Sequence, residues 1–290
     1  MGTSWSARIV DAPPDCPALI EATLRGVVDQ MSNWEAGSDI SRFNRAPLGR
    51  WVDLPDDLMT VLHAGLEVAR ISGGAFDPAI GRLVERWGFG PGGIIGGPLP
   101  APDPAPWRAI ELAAGRARRL RDVTLDLSGI AKGFAVDAIV RMLRGKGLGH
   151  FLIEIGGELR GEGVKPDMQP WWVDLESPPG LSLPILRVAL CGLSVATSGD
   201  YRRFREEEGR RLSHSIDPRS GAPIAHDVAS VSVLHEGAMM ADAWATAITV
   251  AGAGEGMALA ARHGIAALLI RRDGKDGREV MTPALAAMLD

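Results

Sequence analysis

Asp242 and Thr246 stand four residues apart in Met240-Ala-Asp-Ala-Trp-Ala-Thr-Ala247, a stretch that reads as helix. At that spacing a carboxylate and a hydroxyl project from one face, about one turn apart. Two hard oxygen donors among apolar neighbours suit Mg²⁺, which leaves coordination positions open for a substrate phosphate. The pattern is common by itself. Its weight comes from two further segments whose residues suit a phosphate and a planar ring: Ser72-Gly-Gly-Ala-Phe-Asp-Pro78 and Asp126-Leu-Ser-Gly-Ile-Ala-Lys-Gly133.

The second of these reads as strand, tight turn and helix. Its glycines let backbone approach a ligand, and a helix start offers N–H groups to an anion. Lys132 adds a positive charge. The Walker spacing G-x-x-x-x-G-K-[ST] is absent, and an ordinary strand–helix turn with a surface lysine stays open. In Ser72–Pro78, Ala75, Phe76 and Asp77 follow a double glycine and suit a pocket wall, with Asp77 pushed toward extended geometry by Pro78. A plain loop with Phe76 in the core is the alternative. Trp34 and Trp87 each suit stacking on a flat ring or a place in the core. His214, among Ser213, Ser215 and Asp217, suits a general base near neutral pH or a structural hydrogen bond. The other five histidines have no comparable setting.

These residues need elements to hold them. Residues 55–72 read as a helix, with Pro55 in the first turn, Leu58, Leu62, Leu66 and Ala69 on one stripe, and Gly73-Gly74 as its stop. Alternation predicts a strand at 123–128, and 152–155, 171–176, 185–197 and 228–235 read as further strands. Helices are predicted at 130–143, 242–250 and 257–262. Strands at 265–271 and 278–281 flank a turn at 273–277. The Gly- and Pro-rich segment from Gly90 to Pro106 reads as a surface loop or insertion. No clean βαβ rhythm and no G-x-G-x-x-G after a strand appear, which disfavours a dinucleotide-binding doubly wound fold and points to α+β.

The bulk numbers set limits. A net charge of −5 over 290 residues shows no basic excess of the kind a nucleic-acid backbone demands. The arginine runs 116–121 and 202–211 read as solvated faces. Cys16 and Cys191 form no disulfide framework and no metal spacing. No run approaches the roughly 20 apolar residues of a membrane span. The N-terminus shows no charged-then-apolar leader, which points to the cytoplasm, or to the periplasm if a leader has been removed.

Taken together, the segments 1–5, 31–44, 72–78, 87–91, 126–137, 154–158, 197–201, 213–221 and 241–246 resemble the ApbE family of FAD:protein FMN transferases, in the family's order and over nearly the whole chain. The resemblance implies one α+β domain over 1–290, with mixed sheets flanked by helices and the flavin site in a cleft between two subregions. It implies Mg²⁺-dependent transfer of FMN from FAD to a Thr or Ser hydroxyl of an acceptor flavoprotein as a phosphodiester, with AMP released. By position, Asp242, Thr246 and the backbone carbonyl of Ala131 would hold Mg²⁺. Met1, Trp34, Ala75, Phe76, Asp77, Ser128, Phe134 and Ile216 would line the FAD site, and His214 would be the base. The family often has Tyr at position 34, so stacking survives but a phenolic hydrogen bond does not. Two other readings keep the same residues: an Mg²⁺-dependent FAD pyrophosphatase and a non-catalytic FAD-binding protein.

Overall fold

Seven strands from opposite ends of the chain make the main sheet. In spatial order they are Trp5–Ile9, Phe151–Ile155, Glu158–Glu162, Leu193–Gly199, Val228–His235, Ala266–Asp273 and Asp276–Met281. Every neighbouring pair in it is antiparallel. The computed structural model describes residues 2–93, 103, 105–201, 204–207, 210–274 and 276–289. Helices in chain order are α1 (Cys16–Met31), α2 (Asp39–Arg45), α3 (Asp56–Ile71), α4 (Gly81–Arg86), α5 (Ala131–Gly145), α6 (Ala238–Arg262) and α7 (Pro283–Leu289).

The central strands are apolar on both faces because both faces are covered. In Ala266–Asp273, Ala267 and Leu269 point to the side of α5 and α6, while Ala266, Leu268 and Ile270 point to a second cluster with Trp171, Val188, Leu190 and Leu285. That cluster is roofed by α7 and by the hairpin of Trp171–Asp174 with Arg187–Leu190. On the other face α5 and α6 lie against the sheet, and α1 and α3 pack outside them.

Because the first half of α6, up to Val250, is enclosed, it is apolar nearly all round and shows no amphipathic stripe. Asp242 is therefore a carboxylate on a buried stretch of helix, 4% exposed. The two predicted helical pieces 242–250 and 257–262 lie on either side of a kink at Gly252, whose φ of 79° divides α6 into two helical halves.

The helix predicted at 55–72 is α3, and that at 130–143 is α5. The run 185–197 is two strands, Arg187–Leu190 and Leu193–Gly199, turned at Gly192 (φ 77°). The predicted strand 123–128 is not one. Its alternating Val123, Leu125 and Leu127 are buried, but its ladder is reduced to a single parallel bridge between Ile80 and Thr124. Side chains take the place of a neighbouring strand. Asn44 Oδ1 accepts from Leu125 N at 2.7 Å, and the Nδ2 groups of Asn33 and Asn44 both donate to Leu125 O at 3.0 Å. The run 116–121 is only partly solvated: Arg119 is buried, donating to Val123 O at 2.7 Å and to Ala46 O. Most of the segment 94–104, and residues 202, 203, 208 and 209 of the other arginine run, lie outside the described residues. Neither cysteine is in a disulfide.

Candidate active site

A cavity of about 700 Å³ opens where α5, α6, the loop after α1 and the loop after α3 converge. Its floor is built by the approach of two helices. A Cβ added to Gly133 of α5 would lie 2.6 Å from Ala238 C and 2.8 Å from Met239 Cα, so only glycine lets α5 come this close to the start of α6. Asp137, one turn along α5, accepts from Ala238 N and Met239 N, both at 2.9 Å. It caps a helix whose own Gly237 offers no side-chain cap. Burial pushes the Asp137 carboxyl up, and those two N–H bonds pull it back.

This clamp sets Asp242. Its Oδ2 accepts from Gly133 N at 3.1 Å, and its Oδ1 faces Lys132 Nζ at 3.8 Å. Burial pushes the Asp242 carboxyl up; the Lys132 charge and the Gly133 N–H oppose the shift. Thr246, one turn on, packs beneath Gly129, where a Cβ would stand 2.8 Å from Thr246 Oγ1 and 3.4 Å from Phe76 Cε2. The turn 126–131 is shaped by Asp126 Oδ1, which accepts from Ser128 N at 2.8 Å.

The opposite wall comes from the loops. Ser72 Oγ accepts from Phe76 N at 3.1 Å as the chain leaves α3 through Gly73 and Gly74, both at positive φ. Asp77 is buried and accepts from Ala79 N at 2.7 Å and Trp107 N at 3.0 Å. Burial raises its carboxyl to about 7 despite those bonds. Trp34 stands 59% exposed at the lip. Its loop is tied by Ser38 Oγ donating to Ser32 O at 2.7 Å and by Trp34 N donating to Ser32 Oγ at 3.3 Å. His214 lines the cavity with its ring edge-on to Phe89 at 6.3 Å.

The fold thus brings together Trp34, Ala75, Phe76, Asp77, Ser128, Ala131, Lys132, His214, Ile216, Asp242 and Thr246, from five separated stretches of chain. Phe134 does not join them. It is 1% exposed in the core behind the wall, with the Arg141 guanidinium 5.0 Å from its ring. Met1 lies outside the described residues. Trp87 is turned away, its Nε1 donating to Gly221 O at 2.9 Å. Sequence reasoning passed over Asn33, Asn44, Asp137 and Glu158 as functional residues, although all four sit inside the segments it singled out. Glu158 is 1% exposed and pairs with Lys132.

Among the described residues no three His, Cys, Asp or Glu side chains converge as a metal cluster. The side-chain oxygens at the floor are the Asp242 carboxylate and the Thr246 hydroxyl, with Ser128, Gly129 and Ala131 lining the cavity beside them. That hard-oxygen set fits Mg²⁺ held jointly with a phosphate, and the space a Cβ at Gly129 would fill is kept open beside Thr246.

The sequence profile of the ApbE family matches residues 1–269. The FAD:protein FMN transferase of Vibrio cholerae is 34% identical, over 93% of this chain and 85% of that protein. The protein of the same name from Salmonella typhimurium is 29% identical over 100% of this chain and 87% of its own. The apo crystal structure of Pseudomonas stutzeri flavinyl transferase ApbE superposes with a TM-score of 0.89 at 36% identity, covering 99% of this chain and 94% of that one.

Proposed function

The chain belongs to the ApbE family, and we propose that the cavity between α5 and α6 is where it moves FMN, using Mg²⁺ and a Thr or Ser hydroxyl of the acceptor. It is a transferase, with FAD as its substrate and a flavoprotein as its target. The match over residues 1–269 supports reading the whole chain as one unit of this kind. The observation that carries the finer reading is the meeting of Asp242, Thr246, His214, Lys132 and Trp34 around one cavity.

Asp242 Oδ1, Thr246 Oγ1 and the Ala131 carbonyl would hold the metal. When bound, Mg²⁺ would offset charge on the pyrophosphate and on the departing AMP. Trp34 at the lip covers one face of the isoalloxazine ring, and Ala75, Phe76, Asp77 and Ile216 confine the flavin from the other walls. Ser128 holds phosphate oxygens, with Lys132 adding charge where it develops. His214 takes the proton from the acceptor hydroxyl. The hydroxyl oxygen then bonds to the phosphorus of the FMN half, the anhydride P–O bond breaks, and its electron pair leaves on AMP.

The test is intact-mass analysis of an acceptor peptide incubated with the protein, FAD and Mg²⁺. One FMN gained only when Mg²⁺ is present is the expected result. AMP and free FMN with an unmodified acceptor would replace transfer with hydrolysis. Bound FAD without products would leave a binding protein.

A further inference from the structure

Two buried carboxylates flank the ammonium of Lys132, which lines the cavity together with Asp242, while Glu158 lies behind the lining. Glu158 is 1% exposed and Asp242 4%, and Lys132 Nζ reaches both. The contacts are unequal. Lys132 is in direct hydrogen-bonded contact with Glu158 Oε1 but stands 3.8 Å from Asp242 Oδ1, outside hydrogen-bond reach. Glu158 is held rigidly to do this. It opens the strand Glu158–Glu162, directly paired with Ile155 across a two-residue turn at Gly156 and Gly157, both at positive φ. Gly133 N already occupies Asp242 Oδ2, so Oδ1 is the oxygen a cation would take.

An ammonium seated on Oδ1 would deny that oxygen to a divalent ion. We propose that Glu158 is a positioning residue that draws Lys132 away from Asp242 and keeps the carboxylate open to Mg²⁺. The inference rests on the metal reading above and names a residue that acts through another. With Glu158 in place, Lys132 is parked beside the site with its charge directed at the phosphates. Without it, Asp242 is a second buried carboxylate within 4 Å of Lys132, and the lysine moves onto it.

The experiment is a double-mutant cycle read by calorimetric titration of Mg²⁺ into the purified protein, with metal-free Tm as the folding control. Glu158→Gln is expected to weaken Mg²⁺ binding about tenfold, equivalent to about 1.4 kcal/mol. In a Lys132→Met background the same change is expected to alter the affinity less than twofold, because no competing cation remains. Lys132→Met alone is expected to bind Mg²⁺ no more weakly than the unmodified protein. An equal loss from Glu158→Gln in both backgrounds would make Glu158 a distant charge only and overturn the proposal. So would an unchanged affinity in the single variant. If Glu158→Gln does not fold, weaker binding by Lys132→Met overturns it. No Mg²⁺ uptake by the unmodified protein would instead remove the metal reading itself.

Discussion

Replacing Gly133 by alanine tests the helix approach on which the site depends. The new methyl group would lie 2.6 Å from Ala238 C and 2.8 Å from Met239 Cα. These are backbone atoms of α6 and cannot swing aside, so the two helices must part by about 1 Å to restore normal contact. Parting them lengthens the 3.1 Å bond from Gly133 N to Asp242 Oδ2 and strains the Asp137 cap on Ala238 and Met239. Overpacking of this kind costs about 1–3 kcal/mol, and a lost hydrogen bond to a buried charge a further ~1.5–3 kcal/mol. We expect Gly133→Ala to lose about 3 kcal/mol by urea denaturation, and the folded fraction to transfer FMN at least tenfold more slowly. Gly145, the last residue of the same helix, is the control. A Cβ there meets nothing within 4 Å, so Gly145→Ala should be neutral or gain about 0.5–1 kcal/mol from helix propensity. If Gly133→Ala matches Gly145→Ala in stability and rate, the account of a glycine-dependent clamp is wrong.

Asp77 makes a pH prediction. Its folded carboxyl is raised to about 7 from an ordinary value near 3.8, so the folded state binds the proton more tightly than the unfolded chain. Its contribution to stability is complete below pH 3.8 and is lost as pH rises through 7, about 4 kcal/mol at most. Asp77→Asn should flatten the stability profile between pH 4 and 7, and an unchanged slope in denaturation across that range would refute it. Asp242→Ala should abolish Mg²⁺-dependent transfer while the far-UV spectrum is kept; a rate near that of the unmodified protein would remove Asp242 from the metal set. His214→Ala should slow transfer about 10²–10⁴-fold with little change in FAD affinity, and an equal loss in both would make it a binding residue. Trp34→Ala should weaken FAD binding by about 1–3 kcal/mol in a fluorescence titration, since its ring is mostly exposed and free to stack on the flavin. Unchanged affinity would leave Trp34 without a part in flavin binding.

The sequence determined whatever depends on near neighbours. Helix α3 was legible because its apolar stripe, acidic first turn and double-glycine stop all lie within 20 residues. The one-turn spacing of Asp242 and Thr246 was legible for the same reason. So was the turn before α5, where Asp126 bonds a backbone N–H two residues on. Alternation misled at 123–128 because period-two burial needs only extended backbone, and the partners of Leu125 were amide side chains about 80 and 90 residues away. Arg119 looked solvated for a similar reason, since the carbonyl of Ala46 is 73 residues distant.

Tertiary structure alone decided which of the singled-out residues share a cavity. Phe134 and Trp34 are both aromatic residues in quoted segments, yet one is 1% exposed in the core and the other 59% exposed at the lip. Local pattern cannot separate them, because burial is set by which elements pack around a residue. Nor could spacing show that Lys132 answers to Glu158 as well as to Asp242, 110 residues further along. That pairing exists because a glycine at 133 lets α5 touch the start of α6, while a tight turn at Gly156-Gly157 aims a strand at the same lysine.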